Sequence, residues 1–308
     1  MSNTVWVLGD AVVDLIPNDE MSYLKCPGGA PANVAVAVSR LGGVAKFIGR
    51  VGNDPFGRFL RDTLGNENVG VETLVLDQAR RTSTVVVDLD DSGERSFTFM
   101  VKPSADQFYN CEDIPSFHRY EWLHTCSIAL ANEPTRTATF ETISAVKAAG
   151  GYVSFDPNLR EEVWEKPDEI RDVVMEAVKL ADVVKFSEEE LRYLTSTDSV
   201  ESALASLDQP PGQLVIVTLG AKGALYRFNG QTRIIPSQPM VPVDTTGAGD
   251  AFVGGLLAKM SQFNVWRDLV IIEKAIEWGN IAGGLATTSK GAMTALPNSY
   301  QIELKLCE

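Results

Sequence analysis

A glycine-rich stretch with an acid at its end is the most informative part of the sequence. Residues 243–252 read VDTTGAGDAF and precede a long apolar helical pattern. Two glycines among small residues let several backbone N–H groups point at one spot, at the positive end of a helix dipole. The amides would neutralise charge on a transferred phosphoryl group, and Asp250 in the first helical turn would accept the proton of the attacking hydroxyl. The alternative is a glycine-rich turn in which Asp250 is an ordinary N-terminal helix acid.

Two other stretches carry groups that suit a sugar. Residues 27–33 read PGGAPAN. The paired glycines permit close backbone approach to a ligand, and Asn33 offers a donor and an acceptor. Asp10 and Asp14 follow the first apolar run, and ligands of open α/β sheets bind at such strand ends. Two carboxylates suit a polyol, since each accepts hydrogen bonds from adjacent hydroxyls. A tight turn and a solvated loop are the structural alternatives.

Short β-rich runs alternate with helical patterns along most of the chain, and this order predicts where the candidate groups lie. The predicted buried strands are residues 5–8, 45–51, 122–127, 152–156, 183–186 and 214–219. The predicted helices are residues 32–41, 56–64, 135–149, 170–180, 248–260 and 266–287. Such alternation predicts an α/β fold with a mostly parallel central sheet and helices on both faces.

One segment breaks the alternation. Residues 82–89 and 94–101 read as two strands joined by DDSG at residues 90–93, which has turn chemistry. Phe97 and Phe99 share one face of the second strand. The polar tip and aromatic face favour a small lid over an edge extension of the main sheet. We find no linker and no repeat, so residues 1–308 are expected to form one compact domain.

Composition excludes several classes of protein. The 308 residues are 44% hydrophobic and 22% charged, which is typical of globular proteins and not of disordered or fibrous ones. The formal net charge of −14 argues against nucleic acid or an anionic membrane as the main partner. No run of about 18 apolar residues occurs, so no membrane span is expected.

The cysteines and histidines do not form a metal-binding pattern. Cys26, Cys111, Cys126 and Cys307 are scattered, and only two histidines are present, so no zinc spacing can be assembled. We expect four reduced, mostly packed thiols in a cytoplasmic protein. The N-terminus shows neither a basic region nor a cleavage-like site, and no signal peptide is expected.

With both glycine-rich stretches in place, the sequence resembles the ribokinase-like (PfkB) carbohydrate kinases. The stretches GGAPAN at 28–33 and DTTGAGD at 244–250 look like the two signatures of that family, in the same order. The resemblance covers essentially the whole chain. Residues 156–160 (DPNLR) and 290–297 (KGAMTALP) are most similar to bacterial fructokinases of the sucrose-utilisation type. It implies a three-layer α/β/α sandwich with a small β lid, formed by residues 82–102 and part of 10–25.

The resemblance also implies roles for individual residues. Asp250 would be the catalytic base, and the anion hole would consist of Gly247, Ala248 and Gly249 with the Asp250 amide. The sugar-binding residues would be Asp10, Asp14, Gly28, Gly29, Asn33 and Arg160. The nucleotide-binding residues would be Ser187, Thr218, Gly220, Gly223 and Asn280. Asp244 and Thr246 lie where the family binds a monovalent cation, usually potassium, and Glu190 would act indirectly on the magnesium that accompanies ATP.

One stretch departs from the family pattern. The family often has Asn-x-x-Glu after the strand at 183–186, where this sequence has Ser187-Glu188-Glu189-Glu190. Glu190 keeps the family position. Ser-x-x-Glu is also a helix capping box, so a purely structural role for Ser187 and Glu190 is the alternative.

Taken together, the signatures and the resemblance predict ATP-dependent phosphorylation of the 6-hydroxyl of D-fructose, with fructose 6-phosphate and ADP as products. Kinases for 2-keto-3-deoxygluconate, ribose or aminoimidazole riboside are the enzymatic alternatives; Arg160 would suit a keto-acid carboxylate. A non-catalytic sugar- or nucleotide-binding protein is the alternative of another class. A homodimer that pairs through the lid is also expected from the resemblance.

Overall fold

Strands and helices alternate in the computed structural model, which describes residues 2–89 and 95–307. The strands are β1 (Thr4–Leu8), β2 (Val12–Asp19), β3 (Ser22–Gly28), β4 (Val44–Gly52), β5 (Leu74–Asp77), β6 (Thr84–Leu89), β7 (Arg95–Phe99), β8 (Trp122–Cys126), β9 (Tyr152–Asp156), β10 (Val183–Ser187), β11 (Leu214–Thr218), β12 (Ala224–Phe228) and β13 (Gln231–Ile235). The helices are α1 (Ala30–Arg40), α2 (Pro55–Asn66), α3 (Thr135–Ala148), α4 (Ile170–Leu180), α5 (Glu188–Thr195), α6 (Val200–Ser206), α7 (Ala248–Met260), α8 (Leu269–Ala286) and α9 (Ser299–Leu306).

The large sheet has the strand order β13-β12-β11-β10-β9-β8-β1-β4-β5. Neighbours from β11 to β5 are parallel, and β12 and β13 extend the sheet with antiparallel pairing. The strand order reverses at β1, which pairs with β4 on one side and β8 on the other. Ligands of open α/β sheets bind at such a reversal, beyond the carboxyl ends of the strands. The mostly parallel sheet predicted from the alternation is confirmed.

The side chains of β1 alternate between the two faces of this sheet. Val5 and Val7 belong to a core shared with α1, α7 and α8. Trp6 and Leu8 belong to the opposite core, which α3, α4 and α5 cover. Because successive strand residues point to opposite faces, both layers bury the apolar run completely. The three-layer α/β/α arrangement is therefore confirmed.

A second, smaller sheet has the order β3-β2-β6-β7. It combines segments of both stretches that the sequence analysis assigned to a lid. β2 pairs antiparallel with β3 and parallel with β6, and β6 pairs antiparallel with β7. The turn expected at residues 90–93 and the side chain of Phe97 lie outside the described residues. Tyr23 and Leu24 on β3 are more than half exposed, at 56% and 58%.

The predicted helix at 266–287 is too long at its start. Helix α8 begins at Leu269 because the Asp268 side chain caps it, accepting hydrogen bonds from the amides of Val270 (2.9 Å) and Ile271 (3.3 Å). Trp266 instead packs in the core against Trp122, with ring centroids 5.6 Å apart.

Within the described ranges, no helix has both the length and the apolar character needed to cross a bilayer.

The expectation that the cysteines are mostly packed is only half right. Cys126 is buried and Cys26 is partly buried, whereas Cys111 and Cys307 are exposed. None of the four forms a disulfide within the described ranges. The two exposed thiols lie in a 3₁₀ turn and at the end of α9, which sequence patterning does not place against any core.

Helix α7 lies between α1 and α8, and glycines set how closely it approaches them. A Cβ added at Gly254 would lie 2.2 Å from the Cβ of Ala37, and one added at Gly255 would lie 2.8 Å from the carbonyl oxygen of Trp278. Neither neighbour is the end of a flexible side chain. These glycines therefore fix the position of α7, whose first turn carries Asp250.

Replacement of Gly254 by alanine tests this close approach. We expect Gly254→Ala to lower the free energy of unfolding by about 1–3 kcal/mol, because overpacking outweighs the better helix propensity of alanine. Gly65 on α2 is the matched control, since a Cβ there would meet nothing closer than 4.0 Å. Gly65→Ala should be neutral or stabilise by up to about 1 kcal/mol. Urea denaturation measures both, and equal effects would contradict the packing argument.

Candidate active site

A cleft of about 260 Å³ opens at the carboxyl ends of the parallel strands, between the large sheet and the small one. Its polar lining brings together eleven of the residues predicted from the sequence: Asp10, Asp14, Gly29, Asn33, Arg160, Ser187, Glu190, Thr246, Gly247, Gly249 and Asp250. The small sheet contributes apolar side chains to the opposite wall, Val85 and Phe99 among them. The predicted juxtaposition of the two glycine-rich stretches is therefore found.

Asp250 is held by amide groups on two sides. It is the third residue of α7 and is only 7% exposed. Its Oδ2 accepts a hydrogen bond from Asn33 Nδ2 at 2.8 Å, and its Oδ1 accepts from Asn158 Nδ2 at 3.4 Å. Burial raises the pKa of Asp250 to about 6, against the lowering effects of Asn33, Lys185 and Arg160. The carboxylate is thus mostly ionised at neutral pH, yet basic enough to accept a proton.

The glycine-rich loop leads into α7 through a left-handed residue. Gly247 is the N-cap of the helix at φ +76°, and no side chain among the described residues caps this end. A Cβ at Gly247 would lie 3.0 Å from Ala292, so glycine is required for close packing as well as for conformation. The amide of Ala248 donates to the carbonyl of Thr245 at 3.2 Å. Ala248 does not line the cleft, whereas Gly247, Gly249 and Asp250 do, so the amides of these three residues are the better candidates for anion donors.

Lys185 is a cleft residue that the sequence analysis missed. It lies on β10, is 7% exposed, and its Nζ donates to Asp156 Oδ2 at 3.0 Å. A Cβ added at Gly249 would lie 3.3 Å from this Nζ, so the ammonium group contacts the glycine-rich loop. Burial alone would lower the pKa of Lys185, but the carboxylates of Asp156, Glu190 and Asp250 raise it above its usual value. Lys185 is a fixed positive charge beside Asp250.

The paired glycines at the start of α1 let the chain pass close to two acids. A Cβ added at Gly28 would lie 2.2 Å from Asp14 Oδ2, and one added at Gly29 would lie 2.6 Å from the carbonyl oxygen of Asp10. Gly29 also adopts φ +98°. Asp14 is on β2 of the small sheet, whereas Asp10 follows β1 of the large one. The two acids therefore approach the cleft from different sheets.

Arg160 and Asn158 enter the cleft from the loop after β9. Asn158 adopts a left-handed conformation at φ +39°, and its backbone N–H donates to Asp156 Oδ1 at 3.2 Å. Arg160 is exposed, and its Nη1 donates to the carbonyl of Leu159 at 2.8 Å. The guanidinium group thus lies at the mouth of the cleft, where it can reach an anionic group of a ligand.

Ser187 and Glu190 line the cleft and also cap a helix. The Ser187 hydroxyl accepts from the Glu190 amide at 3.2 Å, and Glu190 Oε2 accepts from the Ser187 amide at 2.8 Å. Glu190 Oε1 accepts from the amide of Leu159 at 3.1 Å. The capping box offered as the structural alternative is present. Because each carboxylate oxygen has a second lone pair, Glu190 can still accept from a metal-bound water.

Four of the predicted nucleotide residues lie outside the lining of the cleft. Thr218 pairs with Ser187 across β10 and β11 and is followed by a turn in which Gly220 and Gly223 have positive φ angles. Asn280 on α8 donates to the carbonyl of Ile235 at 2.9 Å. Thr218 and the turn that contains the two glycines continue the strand edge beyond Ser187. Gly28 and Asp244 also lie outside the lining of the cleft.

The pair proposed for a monovalent cation is preorganised by hydrogen bonds. Asp244 Oδ1 accepts from the amide and the hydroxyl of Thr246 at 3.1 and 2.7 Å. Asp244 Oδ2 accepts from the amide of Gly291 at 2.8 Å. In the described part of the chain no three His, Cys, Asp or Glu side chains converge as a metal site. A cation here would therefore rely on backbone and hydroxyl oxygens in addition to Asp244.

Comparisons with known proteins agree with this geometry. The model of the family described as "pfkB family carbohydrate kinase" matches residues 2–299. The fructokinase of Vibrio alginolyticus is 60% identical over 300 residues, which are 97% of this chain and 98% of the relative. The crystal structure of a fructokinase from Vibrio cholerae O395, bound to fructose, ADP and a calcium ion, superposes with a TM-score of 0.94 at 60% identity, covering 98% of both chains.

A relative with another named substrate superposes almost as well. The crystal structure of aminoimidazole riboside kinase from Salmonella enterica, complexed with aminoimidazole riboside and an ATP analog, has a TM-score of 0.92. It is 42% identical and covers 99% of this chain and 100% of its own. The two relatives therefore resemble this chain almost equally in fold and differ in sequence identity, at 60% and 42%.

Removing one charge of the buried ion pair between Lys185 and Asp156 should destabilise the protein more than removing both charges. The Lys185 and Asp156 side chains are 9% and 2% exposed. We expect Lys185→Met to lower the free energy of unfolding by about 3–5 kcal/mol, because Asp156 is left buried without its partner, and Asp156→Asn in addition to recover most of that loss. Lys179→Met is the control, since its ion pair with Asp208 is exposed and should contribute at most about 0.5 kcal/mol. Failure of the double variant to recover would contradict this reading.

Proposed function

This chain belongs to the pfkB family of carbohydrate kinases, and we propose that it transfers the γ-phosphate of ATP to the 6-hydroxyl of D-fructose. The observation that carries the proposal is the placement of Asp250 in the cleft. Asp250 lies in the first turn of α7, whose N-terminal amide groups can hold a phosphate, and shares the cleft with two acids that can hold a polyol. The 60% identity to fructokinases over nearly the whole chain favours fructose among the possible sugars.

Proton removal is the task of Asp250. Asn33 and Asn158 fix its carboxylate in the cleft wall, so that one oxygen can accept the proton of the sugar hydroxyl as the phosphoryl group arrives. The transition state of phosphoryl transfer is loose, so positioning and charge matter more than basicity. The amide groups at the start of α7 would receive the charge that develops on the phosphoryl oxygens.

Lys185 and Arg160 are two cations in the lining of the cleft. Both lower the pKa of Asp250 against the raising effect of its burial, which keeps the base ionised. Lys185 also contacts the loop that would hold the phosphate, where a fixed positive charge stabilises negative charge developing on the phosphoryl group. Arg160 at the cleft mouth would clamp the phosphate or the substrate.

Sugar binding is assigned to the residues on the small-sheet side of Asp250. Asp10 and Asp14 would accept hydrogen bonds from neighbouring hydroxyls, with Asn33 as a further partner. Gly28 and Gly29 would permit the sugar and both carboxylates to approach the same backbone. Because Asp14 belongs to the small sheet, sugar binding would couple the two sheets and draw the small one down as a lid that excludes water. Residues 1–308 would then act as one catalytic domain with this lid.

The nucleotide would lie along the edge formed by Ser187, Thr218 and the turn with Gly220 and Gly223, with Asn280 near the adenine. Magnesium bound with ATP would neutralise the β- and γ-phosphate oxygens, and Glu190 has lone pairs left to reach its waters. The Asp244–Thr246 segment, with its ordered oxygens, suits a monovalent cation such as potassium. The calcium ion and ADP named for the Vibrio cholerae relative are consistent with metal–nucleotide binding.

A homodimer that pairs through the small sheet is supported by its exposed apolar residues. Met21, Tyr23 and Leu24 are 93%, 56% and 58% exposed, on or beside the edge strand β3. An unpaired edge with apolar side chains suits a second copy of the same edge. Cysteines that form no disulfide in the described residues suit a reducing cytoplasm, and the negative net charge suits small-molecule rather than nucleic-acid partners.

A panel of acceptors tests the proposed activity. ADP release should be measured with D-fructose, ribose, 2-keto-3-deoxygluconate and aminoimidazole riboside, each with and without potassium. We expect kcat/KM for fructose to exceed that of every other acceptor by at least ~10-fold, since hydroxyl-binding sites discriminate strongly. A higher value for aminoimidazole riboside would replace fructose as the substrate. Binding without turnover of any acceptor would favour a non-catalytic role.

Replacement of Asp250 by asparagine tests the base. Asp250→Asn should lower kcat by at least ~10²-fold with little change in fructose binding, because the amide keeps the shape of the side chain but accepts no proton. In the parent protein kcat/KM should fall as the pH drops below about 6, where Asp250 becomes protonated. Asp172→Asn is the control, since Asp172 is also the third residue of a helix but is exposed. Near-normal turnover of Asp250→Asn would refute the assignment.

A further inference from the structure

A second, much smaller cavity lies directly behind the sugar side of the cleft. It measures about 10 Å³, which is room for about one water molecule. Its lining includes Gly9, Asp10, Asp106 and Tyr109. Asp10 lines both this cavity and the cleft, so its carboxyl group separates the two spaces. Asp106, in the 3₁₀ turn Ala105–Phe108, has no role in the proposed reaction.

Two carboxyl groups therefore face one water-sized space. Asp10 is 5% exposed, and its Oδ1 is buried without a hydrogen-bond partner among residues 2–89 and 95–307. The Oδ1 of Asp106 is likewise buried without a hydrogen-bond partner among those residues. Burying one ionised carboxylate without partners is costly, and burying two beside each other adds their repulsion. A proton held between the two groups removes their repulsion and lets them share the one charge that remains.

The charged groups that surround the two acids do not stabilise two ionised carboxylates, so they offer no alternative to a shared proton. Burial and the charge of Asp106 raise the pKa of Asp10 to about 7, against a smaller lowering by Arg160, while Asp250 raises it further. The charge of Asp10 also contributes to the raised pKa of the buried Cys126 thiol. Burial raises the pKa of Asp106, which the side chain of Ser104 partly offsets.

We propose that Asp10 and Asp106 form a buried acid pair that retains one proton at neutral pH and thereby holds the Asp10 carboxyl group in position at the sugar wall of the cleft. Asp106 is a positioning residue in this arrangement, since it acts on the sugar only through Asp10. The identity of the sugar rests on the proposed function; the shared proton does not.

The pair makes sugar binding depend on pH in a particular direction. Loss of the shared proton at alkaline pH places two negative charges across a space the size of one water molecule. Asp10 would then turn away or draw in water, and fructose affinity would fall. Two interacting acids titrate as a unit, so the transition belongs to the pair. The opposite dependence holds for Asp250, which loses activity when it gains a proton.

Calorimetric titration with D-fructose, in the absence of nucleotide, tests the proposal. The fructose Kd of the parent protein should rise at least ~5-fold between pH 7 and pH 9, with proton uptake on binding that two buffers of different ionisation enthalpy reveal. Asp106→Asn should keep the fructose Kd at pH 7 within about twofold, because the amide leaves the pair with the same single charge, and should flatten its dependence on pH. Glu112→Gln, at an exposed acid six residues along, should leave the pH dependence unchanged.

Three results would overturn the pair: a pH-independent fructose Kd in the parent protein, an unaltered pH dependence in Asp106→Asn, or a dependence on potassium or sodium in place of protons. If Asp106→Asn fails to fold, Asp106→Ser serves instead and should flatten the dependence in the same way, because it also leaves Asp10 as the single acid. If fructose does not bind at any pH, the proposed function fails. The pair is then decided without ligand, since the infrared band of a protonated carboxyl group at pH 7 should weaken in Asp106→Asn and not in Glu112→Gln.

Discussion

The burial of charge at one edge of the sheet is the constraint on which the rest of the structure depends. Asp156, Asp250 and Glu190 surround the ammonium group of Lys185; Lys185, Asp156 and Asp250 are buried, and Glu190 is partly buried. An unpaired carboxylate at any of these positions would be strongly unfavourable, so the acids and the lysine stabilise one another. The same balance leaves Asp250 mostly ionised at neutral pH although it is buried, which is the condition that a base of moderate pKa requires.

The fold supplies this edge through two features that differ in kind. Parallel pairing brings the carboxyl ends of β1, β9 and β10 to one side, with strand order reversing at β1. Glycines then set distances that side chains could not. Gly254 and Gly255 seat α7 against its neighbours, and the paired glycines before α1 admit Asp10 and Asp14. Strand topology chooses the location of the site, and glycine packing determines its dimensions.

Much of this could be predicted from the sequence, because the relevant signals are local. Continuous apolar runs identified the central strands, and the glycine-rich stretches identified the N-termini of α1 and α7. Lys185 was missed because a lysine inside VVKFS gives no hint that Asp156 will lie 3.0 Å away on the neighbouring strand. Likewise, Asp106 follows a segment read only as a hairpin, and its contact with the cavity behind Asp10 depends on how the two sheets pack. Pairings between distant segments are the part that spacing and periodicity do not encode.

Asp10 and Asp250 show that the same physical cause, burial, can accompany two opposite protonation states. Burial raises the pKa of both carboxyl groups. Asp250 has the Asn33 side chain, Lys185 and Arg160 to oppose that effect, so it is mostly ionised at neutral pH and can act as a base. Asp10 has Asp106 beside it, which reinforces the effect, so the pair keeps one proton and presents one negative charge instead of two to the sugar, the base and the incoming phosphate. The identity of the second neighbour, rather than the depth of burial, therefore decides whether a buried acid in this cleft binds or reacts.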